Sequence, residues 1–186
     1  MNRFLRLAAV SSALTLAAFS ARAADAGYVD LGKFTPAEGC EFVEVNVQSS
    51  MLRLASLFVD KDDHEVANLI RSLKHVRVNV VGYDDATGAD VAQRVREIRR
   101  GLDTQGWAQV VTVREGGKDQ DVAIYVKTRN DDTVEGLLIT VLDAQKKQVV
   151  LVNLVGDIKP EQIAAVGKGL HIDPLQHLPI APAKGA

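Results

Sequence analysis

The stretch that decides the fold class is residues 107–155, WAQVVTVREGGKDQDVAIYVKTRNDDTVEGLLITVLDAQKKQVVLVNLV, because apolar and polar residues alternate along most of it. A period of two is typical of β-strands, in which successive side chains point to opposite faces of the sheet. The pattern predicts four strands, at residues 107–114, 122–129, 134–142 and 148–155. The segments between them are too short to join parallel neighbours, so the four strands form an antiparallel meander.

Two of these strands lose the alternation, because residues 137–142 and 149–155 are apolar at nearly every position. A strand with two apolar faces is typical of the centre of a sheet that is covered on both sides. Asn153 is the polar exception within the more apolar of the two strands. A buried asparagine needs hydrogen-bond partners, so we expect Asn153 to have them.

The chain before the meander predicts two further strands and a set of helices. Residues 42–47 and 76–80 alternate with period two. Between them, apolar residues at helical spacing predict one broken helix or two short ones over 50–73, with Ser50 as the N-cap. The core-facing stripe of the first part is Met51, Leu54, Ala55 and Phe58.

A further helix is predicted over residues 87–105, with a capping box at 87–90 that has Asp90 in place of the usual glutamate. Its core stripe consists of Val91, Val95, Ile98 and Leu102, and its other face shows Arg94, Arg96, Arg99 and Arg100. A last short helix is predicted around 161–166.

This order predicts an α+β fold, a two-layer sandwich with a largely antiparallel sheet of about six strands that ends in the four-strand meander. The helices are expected mainly on one face of the sheet. A ferredoxin-like domain with an appended hairpin is the alternative, and it differs mainly in strand order. The predicted organisation is a signal peptide at 1–23, a loosely packed leader at 24–41, a single domain at 42–170 and a disordered tail at 171–186.

The N-terminus has the pattern of a secretory signal peptide. Arg3 and Arg6 precede an apolar stretch at 7–19, and Ala21-Arg22-Ala23 places small residues where signal peptidase cleaves. The apolar stretch is too short to cross a bilayer core of ~30 Å. We therefore expect cleavage between Ala23 and Ala24 and a periplasmic or secreted protein, the alternative being a buried N-terminal helix.

Charge and hydropathy restrict the partners. The signal peptide contains three arginines and no acid, so its removal changes the net charge from −2 to −5. This acidic balance argues against nucleic-acid binding, which needs a basic surface. No later apolar run approaches the ~20 residues of a membrane helix, so no transmembrane segment is expected after cleavage.

No residue pattern predicts catalytic, cofactor-binding or metal-binding residues. Cys40 is the single cysteine, and its neighbours Glu38 and Glu41 disfavour a reactive thiolate. His64 stands among acids, but adjacent helical residues project about 100° apart and cannot all face one ion. These absences favour a non-catalytic interaction module that binds another envelope protein. An enzyme whose site forms only in three dimensions and a carrier of small apolar ligands are the alternatives.

Two groups of residues are candidates for an interaction surface. Arg96 and Arg100 are four residues apart and lie on one helical stripe, whereas Arg94 points to a different side. Leu52 and Leu57 add apolar surface to the segment 51–59 beyond its core stripe. This segment is therefore either deeply buried or in contact with a partner.

Four sequence runs resemble a known bacterial family over residues 42–168: SSMLRLASLF, LIRSLKHVRVNVVGYDD, GWAQVVTVREGGKDQDVAIYVKTRNDDTVEGLLITVLD and VVLVNLVGDIKPEQIAAVG. The family is the one catalogued as domain of unknown function 4252. It has no established activity, so the resemblance implies no catalytic residue. Its members resemble exported or lipid-anchored envelope proteins, and the proximity of some to sigma and anti-sigma factor genes implies a role in envelope signalling. This chain lacks a lipobox, so the resemblance does not extend to a lipid anchor.

Overall fold

The computed structural model describes residues 25–59, 64–115, 120–130, 133–159 and 162–163. The elements within these residues are β1 (Phe42–Gln48), α1 (Ser49–Ala55), α2 (His64–Ser72), β2 (Leu73–Gly82), α3 (Gly88–Thr104), β3 (Ala108–Glu115), β4 (Gln120–Asn130), β5 (Thr133–Asp143) and β6 (Gln148–Ile158). The predicted signal peptide and tail lie outside the described residues, as does most of the predicted last helix.

The six strands form one sheet in the order β1-β2-β6-β5-β4-β3, and every neighbouring pair is antiparallel. The α+β class, the six-stranded sheet and the four-strand meander are therefore confirmed. The antiparallel pair of β1 and β2, whose connection contains α1 and α2, joins the meander at its last strand, so that β6 and β5 occupy the centre. This position explains why their sequences are apolar on both faces.

Both faces of the sheet carry an apolar core. On one face, Leu52 of α1 and Leu69 of α2 pack against residues such as Ile124 and Ile139. On the other face, α3 packs through its predicted stripe, Val91, Val95, Ile98 and Leu102. The helices are thus divided between the two faces, giving three layers where the sequence predicted two. The physical reason is that central strands with two apolar faces need cover on both sides.

The segment before β1, expected to pack loosely, belongs in part to the second core. Val29 is buried and Leu31 is fully buried, and both lie in the same cluster as α3. Asn153 of β6 holds this segment in place: its Oδ1 accepts from the Val29 N–H at 3.0 Å, and its Nδ2 donates to the Gly27 carbonyl at 3.1 Å. The expectation that Asn153 has hydrogen-bond partners is confirmed.

The start of α1 and the capping bonds of α3 differ from the predictions. The N-cap of α1 is Gln48, not Ser50, because α1 follows β1 directly. Thr87 is the N-cap of α3, but its side chain makes no capping hydrogen bond. Instead, the Asp84 carboxylate accepts from the Thr87 N–H at 2.8 Å, from the Thr87 hydroxyl at 2.7 Å and from the Ala86 N–H at 3.1 Å. These bonds, led by the one from the Thr87 hydroxyl, lower the pKa of Asp84.

Candidate functional site

The most prominent surface feature is a group of exposed apolar side chains on and just after α1, here called the α1 apolar surface: Met51, Leu54, Leu57 and Phe58. Met51 and Leu54 are more than half exposed, Leu57 is 74% exposed and Phe58 is 86% exposed. The turn after α1 is hydrogen-bonded, since the Leu57 N–H donates to the Leu54 carbonyl at 3.1 Å and the Phe58 N–H to the Ala55 carbonyl at 3.0 Å. The two most exposed side chains are therefore presented from an ordered turn.

This arrangement reverses the predicted orientation of α1. The stripe of Met51, Leu54, Ala55 and Phe58, expected to face the core, is exposed, and Leu52 is buried in its place. The sequence could not distinguish the two orientations because both sides of the segment are apolar. Of the two leucines predicted for the interaction surface, Leu57 lies on the surface and Leu52 lies in the core.

The arginines of α3 have different environments. Arg96 and Arg100 are exposed and form no ion pair with another described residue. Arg94 lies 3.8 Å from Glu97 of the same helix. Arg99, expected on the outer face, instead reaches the sheet and is mostly buried: its Nη1 donates to Asp121 Oδ1 at 2.8 Å and its Nε to Thr140 Oγ1 at 2.9 Å.

A second exposed apolar feature is β1, which is one edge of the sheet. Phe42, Val43 and Val45 are each more than a third exposed. Val43, Val45 and Val47 share one face of the strand, and Val47 packs against the same core as α1.

A polar cluster connects the segment before β1 to the other face of the sheet. The ring of Tyr28 stacks on His75 with centroids 5.6 Å apart, and Arg77 donates to the Tyr28 hydroxyl at 2.8 Å and to the Val29 carbonyl at 3.2 Å. His75 Nε2 lies 2.5 Å from Asn46 Oδ1. Burial and the neighbouring Arg77 lower the pKa of His75, against an opposing effect of Asp25. These contacts fasten the segment to β2.

A cleft of about 490 Å³ lies between this segment and α3. Charged and apolar side chains both line it, among them Asp30, Arg94, Glu97 and Ile98. The tyrosines whose pKa is raised by burial, Tyr83 and Tyr125, do not line this cleft. Within the described ranges, no three His, Cys, Asp or Glu residues are placed to hold a metal ion.

Most of the chain matches a known protein family. The family profile for the domain of unknown function DUF4252 matches residues 37–166, which is most of the chain. The chain belongs to the DUF4252 family. The match confirms the resemblance inferred over residues 42–168 and includes the whole sheet, the three helices and the α1 apolar surface of this DUF4252 protein.

Among solved structures, the DUF4252 chain is similar to PA94 of Pseudomonas aeruginosa, a protein of unknown function described as a candidate regulator. The two are 11% identical, the match covers 78% of this chain and 87% of that chain, and the TM-score is 0.36. This likeness carries no argument about function. No curated protein matches the chain. None of the helices in the described part of the DUF4252 chain has the length and apolar character needed to span a bilayer.

Proposed function

We propose that this protein is an exported, non-catalytic interaction module that binds another protein of the cell envelope through the α1 apolar surface. The observation that carries the proposal is the exposure of Leu57 and Phe58 beside the half-exposed Met51 and Leu54. Contiguous exposed apolar side chains on a soluble domain are typical of binding surfaces. The partner we expect is a protein with an apolar groove that accepts these side chains.

The geometry suits anchoring by a few large residues. Complete burial of one leucine or phenylalanine side chain contributes roughly 1.5–3 kcal/mol. Leu57 and Phe58 are adjacent and project from a hydrogen-bonded turn, so little backbone freedom is lost when a partner covers them. Interfaces in general depend on a small number of such buried anchors.

The location is the second part of the proposal, and it rests on the signal-peptide pattern at 1–23. We expect mass spectrometry of the mature protein from the periplasm or the medium to give Ala24 as the N-terminus. A retained Met1, or a diacylglyceryl thioether on Cys40, would contradict export by this route.

The binding test compares two variants in intact cells. The double variant Leu57→Ser/Phe58→Ser removes both anchors, whereas Val110→Ser removes an exposed apolar side chain from β3, on a different part of the molecule. After crosslinking, a partner of the wild type should be lost from the double variant and retained by V110S. The purified partner should then bind the double variant at least about tenfold more weakly, which is ~1.4 kcal/mol.

Two outcomes would contradict the proposal. One is a purified partner that binds the double variant and the wild type equally. The other is sedimentation of the wild type, but not of the double variant, with vesicles of phosphatidylethanolamine and phosphatidylglycerol, because that result assigns the surface to lipid.

A further inference from the structure

The outer edge of β1 is unusually open for the edge of a sheet. Edge strands are commonly protected from pairing by charged side chains, especially lysine, by proline, by a bulge or by a covering segment. β1 pairs with β2 over all seven residues without a register shift, it has no lysine or proline, and Glu44 is its one charged residue. Six of its seven residues are exposed, so the described part of the chain leaves it largely uncovered. The opposite edge, β3, does contain an irregularity between Gln109 and Val111.

The hydrogen-bond pattern shows which backbone groups point outward. Gly82 faces Glu41 in the register of β1 and β2, and the Gly82 N–H donates to the Glu41 carbonyl at 2.7 Å. In an antiparallel pair, bonded residues alternate along the strand. Odd-numbered residues of β1 therefore direct their N–H and C=O groups to β2, and Phe42, Glu44, Asn46 and Gln48 direct theirs outward.

The side chains of β1 are complementary to a second copy of the same strand. In an antiparallel pair with a two-fold axis at Val45, Val45 faces Val45 of the second copy and Val43 faces its Val47. On the other face of the sheet, Glu44 faces Asn46, so a carboxylate meets an amide. If the axis is moved to Glu44, two carboxylates face each other, which is destabilising. Moving it to Asn46 reduces the number of paired residues.

We propose that two copies of this protein associate edge to edge through β1, antiparallel, with the two-fold axis at Val45. The six-stranded sheets then continue into one twelve-stranded sheet, and the outward N–H and C=O groups of β1 pair across the axis. The exposed valines of the two strands form a shared apolar row on the face that carries α1. This association uses a different surface from the proposed binding of an envelope partner and does not depend on it.

A cysteine placed on the axis tests the register. In the proposed dimer, Val45 faces Val45 of the second copy in a non-hydrogen-bonded pair. The Cα atoms of such a pair lie ~4.5 Å apart, a distance that a disulfide can span. In a Cys40→Ser background, V45C should form a covalent dimer under mild oxidation by oxidised glutathione. The matched control V43C faces position 47, so its dimer should form at least about tenfold more slowly.

Two further variants test the hydrogen bonding and the charge. Glu44→Pro removes an outward N–H and leaves the bonds between β1 and β2 intact, so the protein should become monomeric while its circular dichroism spectrum is retained. Asn46→Glu places a carboxylate opposite Glu44 of the second copy and should shift dissociation to at least about tenfold higher protein concentration in sedimentation velocity. Leu57→Ser/Phe58→Ser should remain dimeric, which separates this association from partner binding.

A wild type that sediments as a monomer at all concentrations up to the millimolar range would overturn the proposal. A dimer that persists in E44P, or in which V45C is oxidised no faster than V43C, would also overturn it, because the interface would then lie elsewhere. If E44P fails to fold, N46E and the cysteine pair still distinguish these outcomes.

Discussion

Asn153 shows how one buried polar residue connects distant parts of the chain. It is fully buried in β6, and its amide bonds the backbone of residues 27 and 29 as well as the Leu137 carbonyl of β5 at 3.2 Å. The most apolar strand contains this polar residue because backbone groups of the segment before β1 are buried against it. Without the Asn153 amide, these groups would have no hydrogen-bond partner in the core.

We expect Asn153→Ala to destabilise the protein by about 3 kcal/mol, because it leaves buried backbone donors and acceptors unpaired and also creates a cavity. Urea unfolding measures this change. The control Asn68→Ala alters an exposed asparagine on α2 whose side chain accepts one hydrogen bond from Arg71. Its effect should stay within about 0.5 kcal/mol. Equal effects of the two substitutions would contradict the role assigned to Asn153.

His75 makes the attachment of the same segment dependent on pH. Its pKa is lowered by burial and by Arg77, whereas an unfolded histidine titrates near ~6.5. The folded state therefore binds fewer protons than the unfolded state below this value. The stabilising contribution is complete above pH ~6.5 and is lost as the pH falls through the lowered pKa of the folded state.

We predict that His75→Gln reduces the fall in melting temperature as the pH is lowered from about 7.5 to about 5.5, because glutamine does not titrate. Melting temperatures at several pH values measure this slope. His64→Gln, at an exposed position on α2, is the matched control variant. A steeper slope for H75Q than for the wild type would show that the sign is wrong.

Among the elements, α3 contains the second predicted interaction surface. Its apolar stripe packs on the sheet as predicted, and this leaves Arg96 and Arg100 exposed. Arg99 is different because it bonds Asp121 and Thr140 on the sheet. A helical period identifies which residues share a side of the helix, but an arginine at the boundary can extend to either side because its side chain is long.

We expect Arg96→Glu/Arg100→Glu to change the melting temperature little, because exposed charges contribute only ~0–1 kcal/mol each. If an acidic partner binds this side of α3, the double variant should weaken its capture by crosslinking and reduce the salt dependence of binding. An unchanged set of partners would remove Arg96 and Arg100 from the interaction surface. Arg99→Glu should instead lower the melting temperature, since it breaks a mostly buried ion pair.

At the scale of the whole molecule, the two cores share one sheet. The strands β4, β5 and β6 contribute side chains to both clusters. If the helices of one face detached, the same three strands that form the core of the other face would be exposed to water. Small domains with such shared elements usually unfold in one cooperative step.

We therefore predict a single unfolding transition in which two probes coincide. Trp107, the single tryptophan, is buried in the core beside α3, and its fluorescence reports that face. Far-ultraviolet circular dichroism reports all helices and strands. Equal urea midpoints and equal slopes for the two probes are expected. An earlier fluorescence transition would show that α3 and its core unfold independently.

The strands, the meander and the apolar stripe of α3 were predictable because each depends on local periodicity. The central strands were recognisable because they are apolar at nearly every position. The orientation of α1 was not predictable, because its segment has apolar residues on two sides, Leu52 on one and Met51, Leu54 and Phe58 on the other. The local pattern does not indicate which of the two sides is buried. Thr87 is the N-cap of α3, as the capping box predicted, but the capping bonds were not predictable, because Asp84, three residues before the N-cap, accepts hydrogen bonds from the Thr87 N–H and hydroxyl.

The sequence by itself determined the α+β class, the antiparallel meander, the family resemblance and the requirement that Asn153 be bonded, since these depend on period, connection length and the cost of burying a polar group. Only the tertiary structure decided that β2 joins β6, that α3 lies opposite α1 and α2, and which side of α1 stays exposed. Strand order and layer assignment depend on contacts between residues far apart in the chain, and local periodicity contains no information about those contacts.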